Sequence, residues 1–306
     1  MPSYNFKRKV KFYVIWRGLQ HRVDIYPDIS FSQTFNESSR KVKTLHTQTN
    51  MFDKATITEA NPANFEFTMP LYVTLEVKEV LNLLLKYNID SPEVTLETAD
   101  IYVDTGQEVF RLETAVFERG VFNINRGDVV SVSISGTASK LSRYGASGIT
   151  IPGVPRASTD SSSTFLTNHY MLVQVNGVEQ PSIHSASIEV ANTVQWTPNN
   201  TLHKSLAVNG PSDTVYPEGF VVSGRTVSGL IQQYITDENL ANVNKWAIEV
   251  PLNIRIARIM GNYSLSFLLD KVVYTNRLES ADLFLQNYDF RLTSSPSDLS
   301  TLIQYV

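Results

Sequence analysis

Cysteine is absent from the 306-residue chain, which removes disulfides, thiolate metal sites and cysteine nucleophiles together. Charge is also sparse, at 18% of residues, below the usual level of about a quarter. No run of 18 apolar residues occurs, so the sequence offers no helical membrane span and no membrane insertion is expected. Basic Lys7, Arg8, Lys9 and Lys11 precede only the short apolar segment Phe12–Trp16, too brief for the core of an export signal and read instead as a strand. Phosphate-cradling glycine motifs are lacking, and His21, His46, His169, His184 and His203 are scattered without metal-ligand spacing. Ser223-Gly224 and Ser228-Gly229 lack the flanks of a nucleophile elbow. Glu76 with Glu79 falls on a predicted helix, and Asp237 with Glu238 in a predicted turn, so neither forms a glycosidase pair. No catalytic, cofactor-binding or metal-binding residue emerges, and the expectation is a protein that is not an enzyme.

What is present is apolar material, 42% of residues, arranged mostly with period two. In Lys9–Trp16 the side chains of Val10, Phe12, Val14 and Trp16 share one face, and Ile25–Phe35 alternates likewise. Further strands are predicted at Phe65–Leu71, Ile101–Val103, Val109–Phe117 and Val129–Ile134. In the second half they fall at Met171–Val175, Ser187–Trp196, Phe220–Val227, Ala247–Ile259, Tyr263–Tyr274 and Asp282–Leu292. One amphipathic helix stands out at Thr74–Lys86, with Val77, Val80, Leu81 and Leu84 on one stripe. A shorter turn or helix is read near Leu230–Asn242. The fold class is mainly β.

The tract 136–168 is rich in Gly, Ser, Thr and Pro and reads as a long loop or linker. It divides the chain into a domain at 1–140, a linker at 141–168 and a domain at 169–306. The two halves resemble each other at an offset of 159 residues. Phe12 meets Met171, Val14 meets Val173, Gly18 meets Gly177, Ile29 meets Ile188 and Phe35 meets Val194. Downstream, Asn64-Phe65-Glu66-Phe67 lines up with Gly219-Phe220-Val221-Val222 once about four residues are lost between them. After the second strand each half runs into a long polar excursion, 36–61 and 197–217, lengths that compact domains reserve for function. Val42, Thr44, Leu45, Thr47 and Thr49 give the first the composition of a projecting hairpin. Two isolated strands are marginal in water, so a neighbouring chain is expected to complete such an arm.

The net charge of −4 is uneven. Residues 1–155 balance at zero, with 17 groups of each sign, and residues 156–306 carry 9 basic and 13 acidic groups. Residues 1–43 hold 9 basic and 3 acidic side chains. A weakly acidic chain is not built to neutralise phosphate.

The order strand, glycine turn, strand, long arm, strand, helix and closing strands resembles the tail tube proteins of long-tailed bacteriophages, in the form that carries two fused copies. The features that carry it are Phe12–Phe35 and Met171–Val194, the arms at 36–61 and 197–217, the strands at Phe65–Met69 and Phe220–Gly224, and the helix at Thr74–Lys86. The resemblance implies two tandem β-sandwich or half-barrel domains, each with a flanking helix and a projecting hairpin arm. It implies a ring of three chains with pseudo-sixfold symmetry, stacked into the hollow inner tube of a phage tail that serves as the conduit for genome ejection. A non-polymerising distal tail or baseplate ring protein of the same fold is the alternative. Implied partners are further copies of the chain, a tape-measure protein, baseplate or terminator proteins, and a sheath protein in a contractile tail. Genomic DNA would pass through the lumen without specific binding. The implied location is the virion, with assembly in the host cytoplasm. Arg40, Lys41, Lys43, His46 and Lys204, all on the arms, are expected to make contacts between rings.

Overall fold

The computed structural model describes residues 10–42, 52–72, 75–87, 95–145, 148–155, 165–197, 215–237, 249–259, 262–280, 284–293 and 298–305. The first half contains β1 (Lys11–Trp16), β2 (Leu19–Val23), β3 (Ser30–Ser32), β4 (Phe35–Val42), β5 (Phe52–Ala60) and β6 (Ala63–Pro70). After the helix α1 (Leu75–Leu85) come β7 (Ala99–Asp104), β8 (Glu108–Asn125), β9 (Ser131–Ala138), β10 (Lys140–Gly145) and β11 (Val154–Pro155). The second half contains β12 (Tyr170–Val175), β13 (Val178–Glu179), β14 (Ile183–Trp196), β15 (Phe220–Tyr234), β16 (Val250–Ile259), β17 (Asn262–Ser280), β18 (Phe284–Leu292) and β19 (Ile303–Tyr305). The protein is mainly β, as the alternation predicts.

Eight strands run side by side across both halves in the order β3-β6-β9-β8-β14-β15-β18-β17. Two smaller sheets cover this shared sheet, β2-β1-β7-β8-β10 in the first half and β13-β12-β16-β17-β19 in the second. The layers meet through aromatic side chains, Phe12 against Phe67 at 4.7 Å and Phe122 against Phe267 at 5.3 Å between ring centroids. One continuous hydrophobic core joins both halves.

The long strands β8 and β17 belong to both layers. β8 pairs with β7 and β10 up to Ala115, then with β9 and β14. The passage is local chemistry. Thr114 takes a left-handed φ of 54°, and the Asp100 carboxylate accepts its amide at 3.0 Å while gripping Arg111 at 2.7 Å. The predicted strand at Val109–Phe117 stops short because Glu118 is an extra residue in the β8–β9 ladder and breaks the alternation there.

The opening hairpins of the two halves match. β1 and β12 have six residues each and are followed by Arg17-Gly18 and Asn176-Gly177, both with two successive positive φ angles near 50° and 76°. That is the two-residue turn whose twist suits a hairpin. Further along, the partners of β6 and β15 set a different alignment from the expected one. Phe31 faces Phe65 and Val190 faces Val227, so Phe65 takes the place of Val227 and not of Phe220. The apolar run Phe220-Val221-Val222 imitates Phe65–Phe67, and alternation alone carries no positional anchor.

Three further differences concern local elements. Residues 140–145, placed by composition in the loop tract, form β10 against β8, and Val154–Pro155 pairs in parallel with β2. Leu230–Tyr234, read as part of a short turn or helix, is the end of β15, held between β14 and β18. Of the rest of that reading, Ile235–Asp237 leaves the strand into a turn and 238–242 lies outside the described residues, among which α1 is the one α-helix. The expected strand at Ile25–Phe35 is regular only at β3 and from Phe35 onward, with Pro27 unable to donate a ladder hydrogen bond.

Candidate assembly surfaces

The shared sheet has two faces of opposite character. Facing the core, one row across the strands reads Met69, Val132, Phe122, Ile188, Gly229, Phe290 and Tyr274. On the other face the neighbouring row reads Thr68, Ser133, Val121, Glu189, Ser228, Arg291 and Val273. Beside it lie Asn125, Ser185, Gln232, Asn287 and Arg277. Small hydroxyl and amide side chains tie these rows together. Thr68 and Ser133 share a hydrogen bond of 2.9 Å, the Ser185 hydroxyl donates to Gln232 at 2.7 Å, and the Gln232 amide donates to Asn287 at 3.2 Å.

Charge on this face is thin and mixed. In the paired rows the carboxylates are Glu66, Glu189, Asp289 and Glu279, the guanidiniums are Arg119, Arg277 and Arg291, and lysine does not occur. Arg119 grips both oxygens of Glu189 at 2.6 and 3.0 Å across the β8–β14 joint, which holds the Glu189 carboxyl below its ordinary pKa. Glu118, the bulged residue, has its pKa raised by burial, against a hydrogen bond from the Thr137 hydroxyl that pulls the other way. It borders a cavity of about 300 Å³ with Ser30, Asn64, Glu66 and Ser135.

The two ends of the shared sheet differ from its middle. At the centre β8 and β14 join the halves through seven residue pairs, from Ser185 with Asn125 to Ala191 with Arg119. At the ends, β3 pairs only with β6, and residues 273–280 of β17 pair only with β18, among the described residues. Burial follows the same division. Ile124 and Ile188, at the central joint, are wholly buried, whereas Leu278 on the β17 edge is 59% exposed and Ile29 beside β3 is only partly covered.

Helix α1 lies over the central joint. Gly120 of β8 leaves no room for a Cβ because Leu84 occupies that space. The helix's last carbonyls are capped from the second half of the chain. The Arg225 guanidinium donates to Leu85 O at 3.0 Å and Leu84 O at 3.3 Å, and to Asn192 Oδ1 at 2.6 Å. Its plane stacks on Tyr87 at 4.0 Å. Burial lowers its pKa to about 10, against the opposing pull of Tyr87 and Asp298.

The first arm is a two-stranded antiparallel sheet of β4 and β5, separate from the shared sheet. Its backbone sets Arg40 opposite Lys54 and Lys41 opposite Asp53. Lys43, His46 and Lys204 lie outside the described residues, as does most of the second arm. At the bases of the two arms Phe35 meets Tyr216 edge-on at 6.4 Å, and the Ser139 hydroxyl donates to Pro217 O.

The first arm was legible as a loop of unusual length, but the polar face was not evident in the sequence. Its signal was there in Ser131, Ser133, Ser135 and Thr137, alternating with Val132, Ile134 and Gly136. No sequence pattern distinguishes the strands of the central joint from those of the free edges.

Compared with known families, residues 2–306 match the profile of the Bacteriophage Baseplate Tube Protein Family. No curated protein matches the chain.

Proposed function

Because the chain belongs to the bacteriophage baseplate tube protein family, a structural component of the phage tail, we propose that three copies close into a ring whose shared sheets form one continuous barrel around the tail's central conduit. The observation that carries this reading is the β8–β14 joint. One chain already joins two like halves edge to edge, and it leaves a β3 edge at one end and a β17 edge at the other. Joining such ends in a closed ring removes both open edges of the shared sheet.

In this reading residues 1–140 and 169–306 are two copies of one domain linked through 141–168, and the ring has pseudo-sixfold symmetry. Each chain supplies eight strands to the barrel. At a strand spacing of about 4.8 Å, three chains span roughly 115 Å of circumference, a diameter of about 37 Å that strand tilt widens further. Such a channel admits a nucleic-acid duplex. The face with Ser, Thr, Asn and Gln lines it, while the cover sheets face outward towards a sheath where the tail is contractile. The tape-measure protein occupies the channel during assembly. The arms, with Arg40, Lys41, Lys43, His46 and Lys204, contact the next ring, terminator or baseplate protein. Nothing in this role requires catalysis.

The family's name gives a second reading its support, a ring at the baseplate that does not polymerise. Negative-stain electron microscopy of the purified chain, with its mass in solution, tests both. Rings with three times the 34.4 kDa of one chain are expected. Stacked rings that become single rings when 36–61 is deleted would support the tube, and single rings from the intact chain would support the baseplate reading. Monomers at every concentration would count against ring formation by the chain itself.

A further inference from the structure

We propose that β17 of one chain pairs with the β3 edge of a second copy in a single register, with Thr275 opposite Ser30 and Arg277 opposite Asp28. The inference rests on the ring reading and adds to it which residues meet. It transfers the register of the central joint to the open edges, through the partners of each strand.

Two routes fix the correspondence between β8 and β17. The first starts at β1 and β12, which match at an offset of 159, and crosses β7 and β16. It places β8 on β17 at an offset of 155. The second starts at β3 and β14, also at 159, and crosses β6 with β15 and β9 with β18. It too arrives at 155 before the Glu118 bulge, and at 154 beyond it. The routes run through different sheets and agree. At the central joint Asn123 faces Ser187 and Val121 faces Glu189. Their counterparts at the open edges are Arg277 with Asp28 and Thr275 with Ser30.

Burial and charge favour the same pairing. Ile124 and its neighbour across the joint are sealed, and the counterpart of Ile124 is Leu278, 59% exposed. The counterpart of Ile188 is Ile29, only partly covered. A second copy in this register covers both, as the second half covers Ile124 within the chain. Arg277 and Asp28 are both exposed and of opposite sign, so their cross-strand contact is favourable.

The cysteine-free sequence makes the test direct, because any disulfide is an engineered one. Directly opposed residues hold their Cβ atoms about 4.5–5.5 Å apart, and residues displaced by two about 7–8 Å. The variant Ser30→Cys, Thr275→Cys is expected to give covalently linked trimers under mild oxidation, about tenfold faster than Ser32→Cys, Thr275→Cys, whose residues stand at the longer distance. Faster linkage by the shifted pair would overturn the register. So would rings of normal mass that neither pair cross-links, and in both cases ring formation would stand. A chain that remains monomeric at all concentrations removes the ring reading, and the register with it. Charge reversal at these exposed sites gives an independent measure. Arg277→Glu should weaken assembly and Asp28→Lys in the same chain should restore it, whereas failure of the second change to rescue would exclude the contact.

Discussion

Glu118 shows how one extra residue shapes both strand and electrostatics. By interrupting the β8–β9 ladder it is pressed into partly buried surroundings beside the Thr137 hydroxyl. Burial raises its pKa above the ordinary carboxyl value, so ionisation is harder in the folded state than in the unfolded chain. By linkage, the folded state then binds the proton more tightly, and stability falls as pH rises from the unfolded pKa through the folded one. Replacing Glu118 by Gln keeps the hydrogen-bonding shape without the charge. The thermal midpoint of Glu118→Gln should therefore exceed that of the parent at pH 7–8, and the two should converge below about pH 4. A difference that persists unchanged at low pH would show that packing, not ionisation, separates them.

At the scale of elements, α1 has the clearest relation between pattern and place. Its stripe of Val77, Val80, Leu81 and Leu84 was readable from spacing alone, and the helix runs where the stripe puts it. What spacing could not give is the partner, for the C-terminal carbonyls are capped by Arg225 and Asn192, more than a hundred residues away. Arg225→Ala would leave Leu85 O without that donor, and Leu84 O with the Asn192 amide alone, under the joint between the halves, a loss of about 1.5–3 kcal/mol on the scale of hydrogen bonds to charged groups. Arg225→Lys should recover only part of it, since an ammonium lacks the planar fork that reaches two carbonyls and Asn192 together. Chemical denaturation of the three proteins checks both statements. β1 and β6 were legible for the same reason as α1, because each keeps one face in one environment. β8 and β17 were cut short, and β10 was overlooked. The first two change layers mid-strand, and β10 buries too little for its alternation to show. The first arm was legible by length and polarity, but the register that sets Phe35 against Ala60 and Val42 against Phe52 has no mark in this sequence.

For the whole molecule, the proposed conduit makes a demand on charge that composition alone states only loosely. Duplex binding gains one released counterion for each phosphate that a cation neutralises, whatever the sequence, so a lumen rich in lysine would hold the genome it must release. The paired rows of the polar face carry four carboxylates against three arginines, and Arg119 is already engaged by Glu189. Threefold repetition in a ring keeps that balance slightly acidic, and the hydroxyls and amides between the charges present no fixed cation to a passing phosphate. The parent ring should therefore show no measurable affinity for duplex DNA at moderate salt. Ser133→Lys with Ser187→Lys would place two lysines per chain on this face, and the same number on each partner in the ring. For roughly six cations engaged, the logarithm of the binding constant should fall with the logarithm of salt at a slope of about −5. Fluorescence anisotropy with a labelled duplex, read between 50 and 200 mM salt, measures that slope, values of about the range over which such dependence is steep. Tight, salt-sensitive binding by the parent ring would argue that this face is not the wall of a conduit. Binding that appears only with the added lysines would mean that the polar face is kept without an excess of cations over carboxylates so that the genome can slide past it.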